Sequence, residues 1–129
     1  MRFPENLKYS KEHTWLLVEG ETGKIGITEF AQSELGEIVY VDMPRVGQSF
    51  KKDAVFGSVE AVKTTSDLFM PVSGVVKQIN NKIVKEPSPV NSDPYQEGWM
   101  IEIQITNPSE LNDLLSASAY KTITGNNQQ

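Results

Sequence analysis

Residues 99–105 read WMIEIQI, and this short run constrains the fold more than any other part of the chain. Apolar Ile101, Ile103 and Ile105 alternate with polar Glu102 and Gln104. A period of two puts alternate side chains on opposite faces, which marks a strand with one buried face. Such a strand needs neighbours, and the remaining sequence supplies them. His13 to Val18 (HTWLLV) and Lys24 to Ile27 flank the turn EGETG and read as a hairpin. Ile38 to Val41 is a β-branched and aromatic strand stopped by Met43-Pro44. The stretch PRVGQSFKKDAVF reads as turn, short strand and turn. From Val55 to Ile83 the pattern is strands linked by tight turns, with Gly57 and Gly74 as punctuation, followed by a loop, KEPSPVNSDPYQEG.

Two helices are predicted. Thr28 caps a short one, with Phe30, Ala31 and Leu35 on one side and Gly36 past its end. Asn107-Pro108-Ser109-Glu110 opens the second: an N-cap, proline at the first helical position and Glu110 closing a capping box, with Leu111, Leu114 and Leu115 as its apolar face. The tail at 125–129 (GNNQQ) has nothing to bury and is expected to be disordered. At 129 residues, with no long linker and no internal repeat, the chain is expected to form one domain over 1–129. The predicted class is mostly β, a sandwich or barrel with a short internal helix and a C-terminal helix.

Charge and composition exclude several functions. A net charge of −5, with Lys51-Lys52 the only short basic cluster and Asp53 directly after it, argues against nucleic acid or an anionic membrane as partner. Cysteine is absent, so any redox chemistry must come from an attached group. The start, MRFPENLKYS, lacks the features of a secretory or transit peptide, and no apolar run reaches membrane-span length, so a cytoplasmic protein is expected. No catalytic constellation stands out. The one histidine, His13, has no Ser or Cys motif to pair with and reads as a structural strand residue. With one His and no Cys, a zinc site is not expected. Gly23-Lys24-Ile25-Gly26 lacks the spacing of a phosphate loop. Glu19, Glu21, Glu34, Glu37 and Asp42 read as solvated surface. The chain is expected to be no enzyme on its own.

One lysine asks for more. In GSVEAVKTTSDLFMPVSG (57–74), Lys63 falls between two strands, in a loop VKTTS without Gly or Asn. A turn free of positive φ fits that composition. Glu60 and Asp67 flank the lysine at similar distances in sequence, as if each strand offered a carboxylate near the tip. A surface lysine is common, and taken alone Lys63 reads as one.

The blocks around it resemble a family. Glu60-Ala61-Val62-Lys63 followed by Pro71-Val72-Ser73-Gly74 is similar to the lysine hairpin of lipoyl and biotinyl carriers. Tyr9 to Trp15 (YSKEHTW), Gly26 to Gln32 (GITEFAQ), Leu35 to Val39 (LGEIV), Val41 to Pro44 with Gly47, and Asn91 to Tyr95 followed by Gly98-Trp99 look like the glycine cleavage H-protein family. The resemblance runs from about Lys8 to Tyr120. It implies a lipoyl-type β-sandwich/barrel hybrid and a lipoate joined by an amide to Lys63, with Glu60, Val62, Asp67 and Gly74 serving recognition of the hairpin during lipoylation. It also implies three partner enzymes. A pyridoxal-phosphate glycine decarboxylase (P protein) loads an aminomethyl group, an aminomethyltransferase (T protein) passes it on, and dihydrolipoamide dehydrogenase (L protein) reoxidises the dithiol. A lipoate ligase or a lipoyl/octanoyl transferase would attach the cofactor.

The chain departs from the family in places. Thr14 stands where an acid is common, and the loaded arm ends in an ammonium that the family shelters in a cleft near that motif. Glu12 or Glu34 is expected to supply the missing charge. Lys52 stands where a turn glycine is usual, in a turn expected to avoid positive φ, and Ala61 where serine is common. Two rival readings remain at this level. One is a biotin carrier, although Val62 and Thr64 replace the methionines that flank biotinyl lysines; the other is an interaction module with an unmodified lysine.

Overall fold

The computed structural model describes residues 1–125, so the expected disordered tail lies outside the described residues except for Gly125. The alternating run forms β9 (Ile101–Ile105), which buries its three isoleucines and leaves Glu102 and Gln104 half-buried. It pairs antiparallel with β3 (Thr22–Ile27) on one side and β8 (Gly74–Ile79) on the other. With β2 (Thr14–Glu19), β1 (Lys8–Tyr9) and β5 (Ser49–Phe50), these strands make a six-stranded sheet in the order β1-β2-β3-β9-β8-β5. A second sheet holds β4 (Ile38–Asp42), β6 (Val55–Ala61) and β7 (Thr65–Phe69), in the order β4-β6-β7.

The two sheets share one core. Leu16, Ile25, Val76 and Ile103 from the larger sheet meet Val41, Val59 and Leu68 from the smaller one in a single buried cluster. Burying one such side chain stabilises the fold by about 1.5–3 kcal/mol. The two ion pairs among the described residues, Arg2–Glu29 and Lys52–Asp113, are partly solvated and contribute far less. Apolar burial therefore holds the sandwich together.

The first predicted helix is present as α1 (Glu29–Leu35). The Thr28 hydroxyl accepts from the Ala31 N–H at 3.1 Å, and the Gly36 N–H closes the far end on the Gln32 carbonyl at 2.9 Å. Elsewhere the helices differ from expectation. β8 stops at Ile79, where the Asn80 side chain caps α2 (Asn81–Lys85), so Ile83 is buried from a helix and not from a strand. The predicted loop contains α3 (Ser88–Ser92). Each of these helices is little more than one turn, too short to show a 3.6-residue period in sequence.

The capping box at Asn107 does not form. Asn107 caps nothing with its side chain, and Glu110 instead accepts from the Ser73 N–H at 2.7 Å and the Ser73 hydroxyl at 3.1 Å. A part-buried turn offering two donors to one carboxylate wins over a local cap, because hydrogen bonds to a charged group are the stronger kind. Pro108–Asp113 is consequently a 3₁₀ turn, and the C-terminal helix begins later, as α4 (Ala117–Thr124) with Ser116 as its cap. Four α-helices occur among the described residues where two were expected.

On the opposite face of the larger sheet from the shared core, α4 packs through a second aromatic cluster. Leu16 points into the core and its neighbour Trp15 away from it, as adjacent strand residues must. Trp15 joins Phe3, Tyr9, Tyr95 and Tyr120, with the Tyr9 and Tyr120 rings stacked at 4.8 Å. In the 51–54 turn the strain falls on Asp53, at φ 71°, and not on Lys52. The turn thus does carry a positive φ, at a residue type that tolerates it.

Candidate functional site

β6 and β7 form a hairpin whose tip is Val62-Lys63. Glu60 pairs with Thr65, and the Ala61 N–H donates to the Thr64 carbonyl at 2.7 Å just below the tip. Neither tip residue takes a positive φ, in keeping with the lack of Gly or Asn. Lys63 is exposed and, among the described residues, makes no hydrogen bond or ion pair. Glu60 and Asp67 are not level with each other. Asp67 sits opposite Ser58, two rungs further down the ladder, so the two acids do not frame the lysine symmetrically.

The tip rests on the corner between α1 and β4. The Val62 N–H donates to the Glu37 carbonyl at 3.0 Å. Gly36, at φ 81° and ψ −153°, occupies a region open almost only to glycine, and a Cβ placed there would lie 3.5 Å from Lys63 Cε. The lysine stem therefore lies over a bare Cα. Asn91, on α3, holds this corner in place. Its Oδ1 accepts from the Ile38 N–H at 2.8 Å, and its Nδ2 donates to the Gly36 carbonyl at 2.8 Å and to Gln32 Oε1 at 2.9 Å. Sequence reasoning singled out no role for Asn91. Its one signal was a place in a block beginning far from the lysine in sequence.

A cleft of about 240 Å³ opens between α1 and β7, beside the corner that carries the lysine stem. Glu12, His13, Phe30, Glu34, Leu35 and Asp67 line it over buried Ile27 and Leu68. Glu12 and Glu34, either of which is expected to supply the charge, both line it, with Asp67 on the hairpin side. Thr14 does not. Its side chain is buried, bonded to Ser10 Oγ at 2.7 Å and donating to the Phe69 carbonyl at 3.3 Å.

His13 precedes β2 at φ 71°, so it is no strand residue, and its ring reaches the cleft. Its Nδ1 lies 2.7 Å from the Tyr120 hydroxyl, which lies 2.7 Å from Thr28 Oγ1. Burial lowers the His13 pKa, with Glu12 and Glu34 opposing the shift, and burial pushes the Tyr120 hydroxyl up to about 12. The imidazole is thereby biased toward its neutral form. The cleft thus combines an acidic rim with an apolar floor.

Gly74 belongs elsewhere. It is buried in β8, and a Cβ there would come within 2.7 Å of the Gln104 carbonyl oxygen and of Ile103 Cδ1. Close packing of β8 on β9 accounts for this glycine. Among the described residues no cluster of three or more His, Cys, Asp or Glu is arranged to hold a metal ion, and no helix is long and apolar enough to cross a membrane.

Residues 7–127 match the family model described as glycine cleavage H-protein. The chain is 50% identical over 121 residues to the glycine cleavage system H protein of Symbiobacterium thermophilum, covering 94% of each. It is 50% identical over 125 residues to that of Staphylococcus carnosus, covering 97% of this chain and 99% of the relative. The crystal structure of a glycine cleavage system H protein from Mycobacterium marinum superposes with a TM-score of 0.88 at 33% identity, covering 95% of this chain and 99% of that one.

Proposed function

Because the chain belongs to the glycine cleavage H-protein family, we propose that Lys63 is where it carries its lipoyl group as a component of the glycine cleavage system. The observation that carries this assignment is the lysine's setting: an exposed amine, unpaired among the described residues, at a hairpin tip that is itself pinned from below. The reading completes itself in one cycle. The carrier takes the aminomethyl cargo from the P protein to the T protein and presents the resulting dithiol to the L protein. It is a carrier without catalysis of its own, working in the cytoplasm after a lipoate ligase or a lipoyl/octanoyl transferase has acylated it.

When attached, the lipoyl group supplies a cyclic disulfide that accepts the cargo and the electrons, and the protein supplies mounting and shelter. Residues 1–129 act as one domain in this role. The Val62–Glu37 hydrogen bond and the Asn91 clamp keep the tip from folding back, so the stem projects from a fixed point. Glu60 and Val62 border that point and serve recognition of the hairpin; Gly74 serves only through the packing that seats the strand after it. In the cleft, Glu12, Glu34 and Asp67 receive the ammonium end of the cargo, while the neutral His13 adds no repulsion.

Intact-mass spectrometry with peptide mapping tests the assignment. One lipoyl addition on the peptide containing Lys63 is expected; a biotinyl mass, or no addition in a host with a working lipoate pathway, would refute it. The sheltering role has its own test, the release of the aminomethyl cargo from loaded Glu12→Gln and Glu34→Gln proteins. A partly exposed charge pair is worth up to about 1 kcal/mol, so release should accelerate by about threefold to fivefold. Unchanged release in both variants removes the two glutamates from that role.

A further inference from the structure

The side chains around the hairpin tip are unevenly distributed. On the β7 flank they are small and polar, Thr65 and Ser66. On the β4 flank three large apolar side chains face solvent: Val62 at 72% exposure, Tyr40 at 52% and Val39 at 47%. The strand order explains why they form one patch. β4 is an edge of its sheet, Tyr40 pairs with Glu60, and the bulge between Ile38 and Tyr40 turns Val39 outward beside the rung that leads to Val62. Exposed Glu37 and Glu60 border the patch, and no basic residue other than Lys63 occurs in 37–42 or 55–63.

We propose that the β4 flank of the tip, formed by Val39, Tyr40 and Val62 with Glu37 and Glu60 at its edge, is the surface covered by the enzyme that acylates Lys63. The inference rests on Lys63 being the acylated residue. Its logic is one of reach. Enzymes that work on the finished arm meet sulfur atoms far from the hairpin, and they need not touch its tip. The acylating enzyme has no such freedom. The neutral ε-amine attacks the carbonyl carbon of an activated acyl donor, an acyl adenylate or an acyl thioester. A C–N bond forms, the C–O or C–S bond breaks with its electron pair leaving on AMP or thiolate, and the amine proton passes to solvent or a base. For that attack the donor carbonyl must come to about 3–3.5 Å of Nζ, which brings the enzyme down onto the residues beside Lys63.

Apolar exposure selects the β4 side, and the charge there is compatible with it. Apolar and aromatic side chains, tyrosine above all, are the groups that carry binding energy when desolvated, and at the hairpin tip the large ones that face solvent, Val39, Tyr40 and Val62, lie on this flank. An enzyme that holds an adenylate or a phosphopantetheine-linked acyl group needs cationic side chains near its donor site, and those complement Glu37 and Glu60.

The test is the initial rate of mass gain when the unmodified chain is incubated with lipoate ligase, ATP and lipoate. In a Tyr40→Ser/Val62→Ser double variant, kcat/KM should fall about tenfold or more, with the far-ultraviolet circular dichroism and thermal midpoint of the parent. Thr65→Ala, on the other flank, should be acylated at the parental rate. A double variant acylated as fast as the parent overturns the proposal, as does an equal loss in Thr65→Ala. Mass gain by Lys63→Arg, or none by the parent chain, is a different failure and removes the attachment site itself.

Discussion

Lys63→Arg is expected to fold like the parent and to carry nothing. The side chain is exposed and, among the described residues, unpaired, and surface exchanges of this kind change stability by no more than about 0.5 kcal/mol. On a chain of this size that corresponds to about 2 °C in the thermal midpoint. The chemistry, by contrast, stops completely. A guanidinium with a pKa above about 12 has no free electron pair to offer an acyl donor near neutral pH. The variant should gain no mass with lipoate ligase, ATP and lipoate, and glycine decarboxylation reconstituted with P, T and L proteins should fall to background. Turnover at the parental rate would mean that some other residue carries the cargo.

The second large effect is on stability and lies away from the lysine. Asn91→Leu keeps the branching of the side chain but removes an acceptor for the Ile38 N–H and donors to the Gly36 carbonyl and Gln32. The Ile38 N–H belongs to a buried residue, and a buried polar group left unpaired costs about 1–3 kcal/mol. A loss of about 2 kcal/mol, or about 8 °C in the thermal midpoint, is expected. Asn91→Asp retains the acceptor alone and should fall between the two. The same corner receives the Val62 N–H and the lysine stem, so Asn91→Leu should also be acylated more slowly. Calorimetry together with the acylation rate checks both parts. If Asn91→Leu melts with the parent, the three hydrogen bonds do not hold the corner.

Features visible in sequence were those set by neighbours within a few residues. The period of two in β9, the Thr28 cap and Gly36 stop of α1, and the turn at Val62-Lys63 without positive φ all depend on local backbone preference. Some of the predictions that failed did so because position in space, not order along the chain, decided the outcome. Glu110 had a cap within reach and took the Ser73 turn, displacing the C-terminal helix to Ala117. Glu60 and Asp67 look symmetric about Lys63 along the chain, yet the strand register puts them two rungs apart.

By itself, then, the order of residues determined that this chain makes a mostly β fold, sandwich or barrel, with one lysine displayed between two strands, because alternation and turn chemistry act over short range and need no third dimension. Only the tertiary structure decided what surrounds that lysine. Asn91 reaches the corner beneath it from α3, Glu12 and Glu34 line one cleft from separate parts of the chain, and Val39 and Tyr40 come beside Val62 through strand pairing. The physical reason is that hydrogen bonds, apolar contact and charge act at a few ångströms in space, whatever the separation along the chain.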